Sequence, residues 1–176
     1  RDYFGSNYRG VRISYVENTA YNTSNNLCSL WQAREAFDDD VLLLESDLVF
    51  DDRLICALIE KKEPDVAVVD RFRPGMDGSV ILANGGVVKA LLLKSEQPQG
   101  FDYSSALKTV NIYRLSSETL VETILPGMEE FLAEGRTDQY YEAVFASLIR
   151  SKRMDMSVMH TGNMQWSEID TLDDLR

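Results

Sequence analysis

The chain has 176 residues, 44% hydrophobic and 27% charged, which is an ordinary globular composition and enough for one domain with a buried core. With 29 Asp and Glu against 18 Lys and Arg, its formal net charge is −11. That balance argues against a nucleic-acid-binding module and against docking on anionic lipid, because both need a basic face.

The opening Arg1-Asp2-Tyr3-Phe4-Gly5, without Met or a signal-peptide pattern, is expected of a fragment of a longer protein. Residues 11–16 alternate apolar and polar and predict a strand. A polar loop follows, and Asn25 or Asn26 can cap a helix through Leu27, Leu30, Trp31, Ala33 and Ala36. The run Val41-Leu42-Leu43-Leu44 predicts a strand buried on both faces, as in a parallel sheet covered by helices. Residues 53–61 read as a short helix and residues 65–70 as a second fully apolar strand. Residues 79–83 and 86–93 predict a hairpin turning at Asn84-Gly85, and residues 109–114 a further strand. Ser116 or Ser117 caps a long helix that Pro126-Gly127 interrupts and that resumes to Glu134. A helix from Asp138 carries Tyr141, Val144, Phe145, Leu148 and Ile149, and residues 156–160 read as a short strand. Residues 166–170 look like a strand end, with Thr171 capping a closing helix over residues 172–175. Alternating strands and helices with an inserted hairpin indicate a three-layer α/β fold on a mixed sheet, in one domain. Cys28 and Cys56 lie in apolar-periodic stretches and read as buried free thiols, which fits a reducing cytoplasm. No apolar run approaches the roughly 20 residues that cross a bilayer.

Ligands of open α/β sheets bind beyond the carboxyl ends of the strands. There the run Leu44-Glu45-Ser46-Asp47 ends an apolar strand in carboxylates, of which Asp47 is the better candidate for Mg²⁺. The alternative is a solvated strand end. Glu168 and Asp170 are two apart, so an extended backbone points both to one face, where they suit a cation. Alternatively Asp170 is a helix cap and Glu168 merely exposed. Asp47, Glu168 and Asp170 together make a shared divalent-metal site plausible. Residues 21–26 place amides and hydroxyls before a helix start, where they read as an N-cap loop or as a nucleotide contact. Among the scarce cations, Lys108 and Lys94 could neutralise a phosphate, and Asn111 lies beside Lys108 near a sheet edge. Tyr103, Tyr140, Tyr141 and Trp166 with Glu142 suit a cationic amine, or else pack in the core. The single histidine, His160, without a second His or nearby Cys, argues against zinc. Walker and dinucleotide glycine fingerprints are absent from the sequence.

Four phrases in order carry a resemblance: Tyr21-Asn22-Thr23-Ser24-Asn25-Asn26, Leu43-Leu44-Glu45-Ser46-Asp47, Lys108-Thr109-Val110-Asn111-Ile112-Tyr113, and the stretch from Trp166 to Leu175. Together they resemble the sugar-phosphate nucleotidyltransferase superfamily, and within it the cytidylyltransferases that activate phosphocholine or 2-aminoethylphosphonate. The resemblance implies a Rossmann-like, nucleotidyltransferase-like domain over residues 1–176. It implies transfer of CMP from CTP to a small phospho-acceptor with release of pyrophosphate. It places Mg²⁺ on Asp47, Glu168 and Asp170, and catalysis on Lys108 and Asp47. Lys108 and Asn111 would contact the acceptor and its phosphate. Asn22, Thr23, Asn25 and Asn26 would line the nucleotide side, and Tyr141, Glu142 and Trp166 would receive an amine-bearing acceptor. Members of this family begin with a strand and a glycine-rich loop carrying Arg and Lys, which wraps the triphosphate. The present sequence has no such loop, so it is expected to be an N-terminally truncated domain with little activity alone. Sugar-1-phosphate nucleotidyl transfer, glycosyl transfer and a non-catalytic binding domain are the alternatives. A homodimer and a further fused domain are both compatible with the pattern.

Overall fold

The computed structural model describes residues 3–175; Arg1, Asp2 and Arg176 lie outside the described residues. The chain begins with an exposed two-stranded hairpin, β1 (Asn7–Tyr8) and β2 (Val11–Arg12), turning at Arg9 and Gly10, both at positive φ. The strand predicted over residues 11–16 therefore stops at Arg12. Its alternation faces no core, since Val11, Tyr15 and Val16 are all exposed. Next comes α1 (Asn26–Gln32), where the Asn25 side chain accepts from the Asn26 N–H as the cap. Strands β3 (Val41–Leu44) and β4 (Leu48–Phe50) follow, then α2 (Arg53–Ile59) and β5 (Val66–Arg71). The predicted hairpin is β6 (Val80–Asn84) and β7 (Val87–Leu92), and the long β8 spans Leu107–Leu115.

The helix expected from Ser116 is three pieces: α3 (Ser117–Thr119), a π-helical turn at Leu120–Ile124, and α4 (Leu125–Ala133). Pro126 sits in the first turn of α4, where its missing N–H costs little, and the widened turn before it relieves the ring's clash. The chain ends through α5 (Tyr141–Arg150), β9 (Ser157–His160), β10 (Trp166–Glu168) and a 3-10 turn at Leu172–Leu175. That turn replaces the predicted closing helix, and Thr171 Oγ1 does accept from the Asp173 N–H at its start.

The main sheet is six-stranded, in the order β3-β8-β5-β9-β7-β6. Only β5 and β9 run parallel among the described strands; the other pairs are antiparallel. β8 has β5 along one side. On its other side, Leu107 and Lys108 pair with β6, while Ile112 to Leu115 pair with β3. The register slips between these two stretches, opposite Ala67 and Val69, and Asn111 there has φ +59°. Asn is one of the few non-glycine residues that accept the left-handed region, so it suits this bulge.

Side chains alternate across β5. Ala67 and Val69 join the larger core with α1, α4 and α5, whereas Val66 and Val68 join Leu54 and Leu58 of α2. These two cores make the three layers, as expected. β3 is the exception to the expected double burial: it lies at the sheet edge, is half-buried, and leaves Leu44 37% exposed. Both thiols are free, but Cys28 is half-buried and Cys56 exposed rather than buried. No helix among the described residues is long and apolar enough to cross a membrane.

The close approach of α4 and α5 depends on Gly127. A Cβ there would meet Val144 Cγ1 at 3.1 Å and both Leu148 methyl carbons at 3.2 Å. Beneath α5, the Glu142 carboxylate is buried and accepts from Tyr113 Oη and Ser79 Oγ, each at 2.8 Å. Burial pushes its pKa up, against the pull of those two hydroxyls and of the Lys108 charge.

Two stability predictions follow from this packing. Gly127→Ala overpacks the α4–α5 contact and should cost about 1–3 kcal/mol in denaturant unfolding. An unchanged midpoint would mean that the helices separate freely. Because the folded state raises the pKa of Glu142, its protonation favours the fold. That contribution is complete below the ordinary value of 4.5 and is lost as pH rises through the higher folded-state value. Glu142→Gln should therefore gain melting temperature relative to wild type as pH rises. A gap that does not change with pH contradicts this.

Candidate functional site

A cleft of about 1600 Å³ opens at the ends of β3 and β10 and beside the first half of β8, between the starts of α1 and α5 and the loop after β5. It is built by a small second sheet. β4 pairs with β10 in antiparallel register, Leu48 opposite Glu168 and Phe50 opposite Trp166. The ladder continues through the Ile169 N–H, which donates to the Asp47 backbone oxygen at 2.9 Å. Segments more than 100 residues apart in the sequence are thereby joined, and Asp47 lies beside Glu168 and Asp170. All three line the cleft.

The three carboxylates are in different states. Glu168 Oε1 accepts from Lys108 Nζ and from Asn111 Nδ2, both at 3.0 Å. Asp47 Oδ1 is buried and has no hydrogen-bond partner. Asp170 is exposed, and its N–H donates to Asp174 Oδ2 at 3.1 Å. Among the described residues no three His, Cys, Asp or Glu side chains are close enough to hold a metal by themselves. Mg²⁺ does not need three: it is commonly held by one or two carboxylates with waters and phosphate oxygens completing the shell. A buried carboxylate oxygen with no donor is an incomplete arrangement that a cation would complete. The unpartnered oxygen of Asp47 therefore fits a divalent ion better than the already engaged Glu168.

Lys108 is only 2% exposed. Its ammonium donates to the Thr109 backbone oxygen at 2.9 Å and to Glu168, and lies 5.9 Å from the centre of the Trp166 ring. Gly78, at φ +95°, passes so close that a Cβ there would be 3.3 Å from Nζ. One N–H of the ammonium remains for other partners. Trp166 is itself fixed, its Nε1 donating to Asp70 Oδ2 at 2.9 Å.

Of the four nucleotide-side candidates, Asn26 lines the cleft, whereas Asn22, Thr23 and Asn25 do not. Asn25 also donates to the Asp138 backbone oxygen at 3.3 Å, and Thr23 Oγ1 donates to that of Ala20 at 3.2 Å, so both serve their loop. Tyr141 and Glu142 reach the cleft wall but belong to the core, with hydroxyl and carboxylate committed inside the protein. The amine-binding surface expected of them is thus reduced to Trp166 and the 51% exposed Tyr140.

Glu45, given less weight than Asp47 in the sequence, is bonded from three sides in the cleft. Its Oε1 accepts from Tyr141 Oη at 3.0 Å and from Asn26 Nδ2 at 3.4 Å, and its Oε2 from Asn111 Nδ2 at 3.0 Å. Burial first, then the charges of Glu142, Asp47 and Glu168, raise its pKa to about 7, although the Tyr141 hydroxyl pulls it down. The signal for it was its place directly after the apolar run Val41–Leu44, two residues before Asp47.

No protein-family model matches the chain. The CMP-5'-(3-aminopropyl)phosphonate synthase of Streptomyces rubellomurinus is 32% identical over 177 residues, taking in 100% of this chain. The chain spans 28% of the length of that curated relative. Among solved structures, the CTP:phosphocholine cytidylyltransferase of Streptococcus pneumoniae superposes with a TM-score of 0.68 at 17% identity, over 95% of this chain and 67% of its own. The inositol-1-phosphate CTP transferase of T. maritima does so with a TM-score of 0.66 at 19% identity, over 91% and 61%. At those identities the solved structures speak for the fold, and the curated relative supplies the likeness in sequence. The chain thus has the fold of the nucleotidyltransferases and, along its whole length, a sequence similar to that of a CMP-phosphonate synthase.

Proposed function

We propose that the protein containing this chain transfers CMP from CTP to the phosphonate or phosphate group of a small amine-bearing acceptor, releasing pyrophosphate. The observation that carries this reading is the β4–β10 pairing, which sets Asp47 against Ile169 between Glu168 and Asp170, all three acids lining the cleft. The relatives support it by the substrates in their names: 3-aminopropylphosphonate, phosphocholine and inositol 1-phosphate, each joined to a cytidine nucleotide.

In this reading an acceptor oxygen attacks the α-phosphorus in line and pyrophosphate leaves. Such a reaction needs alignment and charge neutralisation more than covalent help. Asp47 and Asp170 would hold Mg²⁺, which when bound neutralises phosphate charge that grows in the transition state. Lys108 and Asn111 hold Glu168 to one side of that pair, so its carboxylate does not point freely at incoming phosphates. Tyr140 and Trp166 offer aromatic faces to the acceptor's ammonium. The sequence has no glycine-rich loop bearing Arg and Lys, so the triphosphate cradle is not supplied by these residues.

Pyrophosphate release by the full-length protein should require CTP, Mg²⁺ and an aminoalkylphosphonate or phosphocholine together. A clear preference for a sugar 1-phosphate would contradict the amine-bearing acceptor. Residues 1–176 alone should bind CTP poorly; full-length protein that turns over no faster than this piece opposes that expectation. Asp47→Ala or Asp170→Ala in the full-length protein should lower kcat at least ~10²-fold, the scale of losing a major electrostatic stabiliser. Near-normal turnover in either variant removes that residue from the mechanism.

A further inference from the structure

Glu45 is a carboxylate with three neutral donors and no cation among its hydrogen-bond partners. The donors come from three different elements. Asn26 opens α1 and Tyr141 opens α5, while Asn111 sits at the bulge of β8. These residues are further tied to one another and to the far side of the cleft. Asn26 Oδ1 accepts from the Tyr141 N–H at 2.9 Å, and Asn111 Nδ2 reaches Glu168 as well as Glu45. The Glu45 N–H also donates to the Asn111 backbone oxygen at 3.3 Å.

The chemistry of the Asn111 amide gives this network a direction. Its NH₂ group has two hydrogens, and each is matched to one carboxylate, Glu45 Oε2 on one side and Glu168 Oε1 on the other. Turning the amide over would set its oxygen against two carboxylate oxygens. The two acids therefore fix which end of Asn111 faces them, and Asn111 in turn keeps the two acids from repelling each other apart. Asn111 Oδ1 is left buried without a donor as the cost of that orientation.

We propose that Glu45 is a positioning residue that acts through Asn111: it locks the amide that, with Lys108, holds Glu168 in place on the acceptor side of the cleft. This rests on the nucleotidyl-transfer reading only for the name of that side; the hydrogen-bonding claim is independent of it. Glu45→Gln isolates the effect. The glutamine oxygen can keep the Tyr141 and Asn26 bonds at Oε1, so the starts of α1 and α5 stay tied. Its NH₂ then replaces Oε2 and faces the Asn111 NH₂, donor against donor. Asn111 must turn over to accept from Gln, which places its oxygen against Glu168 Oε1, and Glu168 is released.

The test uses full-length protein with ¹⁵N-labelled asparagine, the Asn111 side-chain signal being assigned by its loss in Asn111→Asp. Glu45→Gln should shift the Asn111 amide pair and hasten its hydrogen exchange, while melting temperature and the Asn26 side-chain signal stay near wild type. In steady-state assays it should raise the acceptor KM at least ~10-fold, with CTP KM and Mg²⁺ half-saturation changed by less than about twofold. An unmoved Asn111 signal overturns the proposal whether or not the protein transfers CMP. A shifted Mg²⁺ half-saturation overturns it in favour of metal ligation by Glu45. A large fall in melting temperature with all kinetic constants altered overturns it in favour of a purely structural role. If wild type itself transfers no CMP, the functional reading falls, and the asparagine signals alone decide the role of Glu45.

Discussion

One buried ammonium sits among carboxylates. Lys108 makes a direct ion pair with Glu168 and its charge acts on Glu142, while Glu45 feels the charges of Glu142, Asp47 and Glu168. Charges so concentrated and partly removed from water cannot remain together on Coulomb attraction when all but one share a sign. The protein holds them with neutral donors. Tyr113 and Ser79 bind Glu142, Tyr141 and Asn26 bind Glu45, and Asn111 bridges Glu45 to Glu168. Burial first raises the pKa of Glu45 and of Glu142, and the neighbouring carboxylates raise that of Glu45 further.

The fold is arranged to make this crowding possible. β8 has room for a bulge at Asn111 because β3 and β6 share its outer side without meeting there. The resulting gap lets Asn111 turn toward the cleft, between the ends of β3 and β10. The β4–β10 ladder then draws the last acidic segment against Asp47. Sheet edge, bulge and second ladder are each local defects in a regular sheet, and the site lies where they coincide. Sequence rules fail most often where function loads the backbone in this way.

Much of the architecture was legible because burial writes itself into composition. The run Val66 to Val69 reads as a strand covered on both faces and is one. Asn25 reads as a cap and is one, and the Asn84-Gly85 turn joins its hairpin. The same logic misplaced β3, since an apolar edge strand half-covered on each face has the composition of a central one. It misread residues 11–16 because alternation shows where a core would lie and cannot tell whether one is there. In α5 nearly every residue from Tyr141 to Ile149 is buried, so periodicity alone could not say that Glu142 faces the core. Asp47, Glu168 and Asp170 were expected at strand ends, and all three line the cleft. The engagement of Glu168 by Lys108 and Asn111 was not expected, because it depends on a bulge that no local pattern of residues announces.

On the proposed function, the excess negative charge of the cleft would take a cation and a phosphate chain together. The most direct measurement is a crystal structure of the full-length protein with CTP and Mn²⁺, read by the anomalous signal of manganese. The account predicts a peak at direct-bond distance from the Asp47 carboxylate, shared with Asp170, with Glu168 still on Lys108. Nucleotide bound with its metal elsewhere, and Asp47 Oδ1 still without a partner, would contradict it.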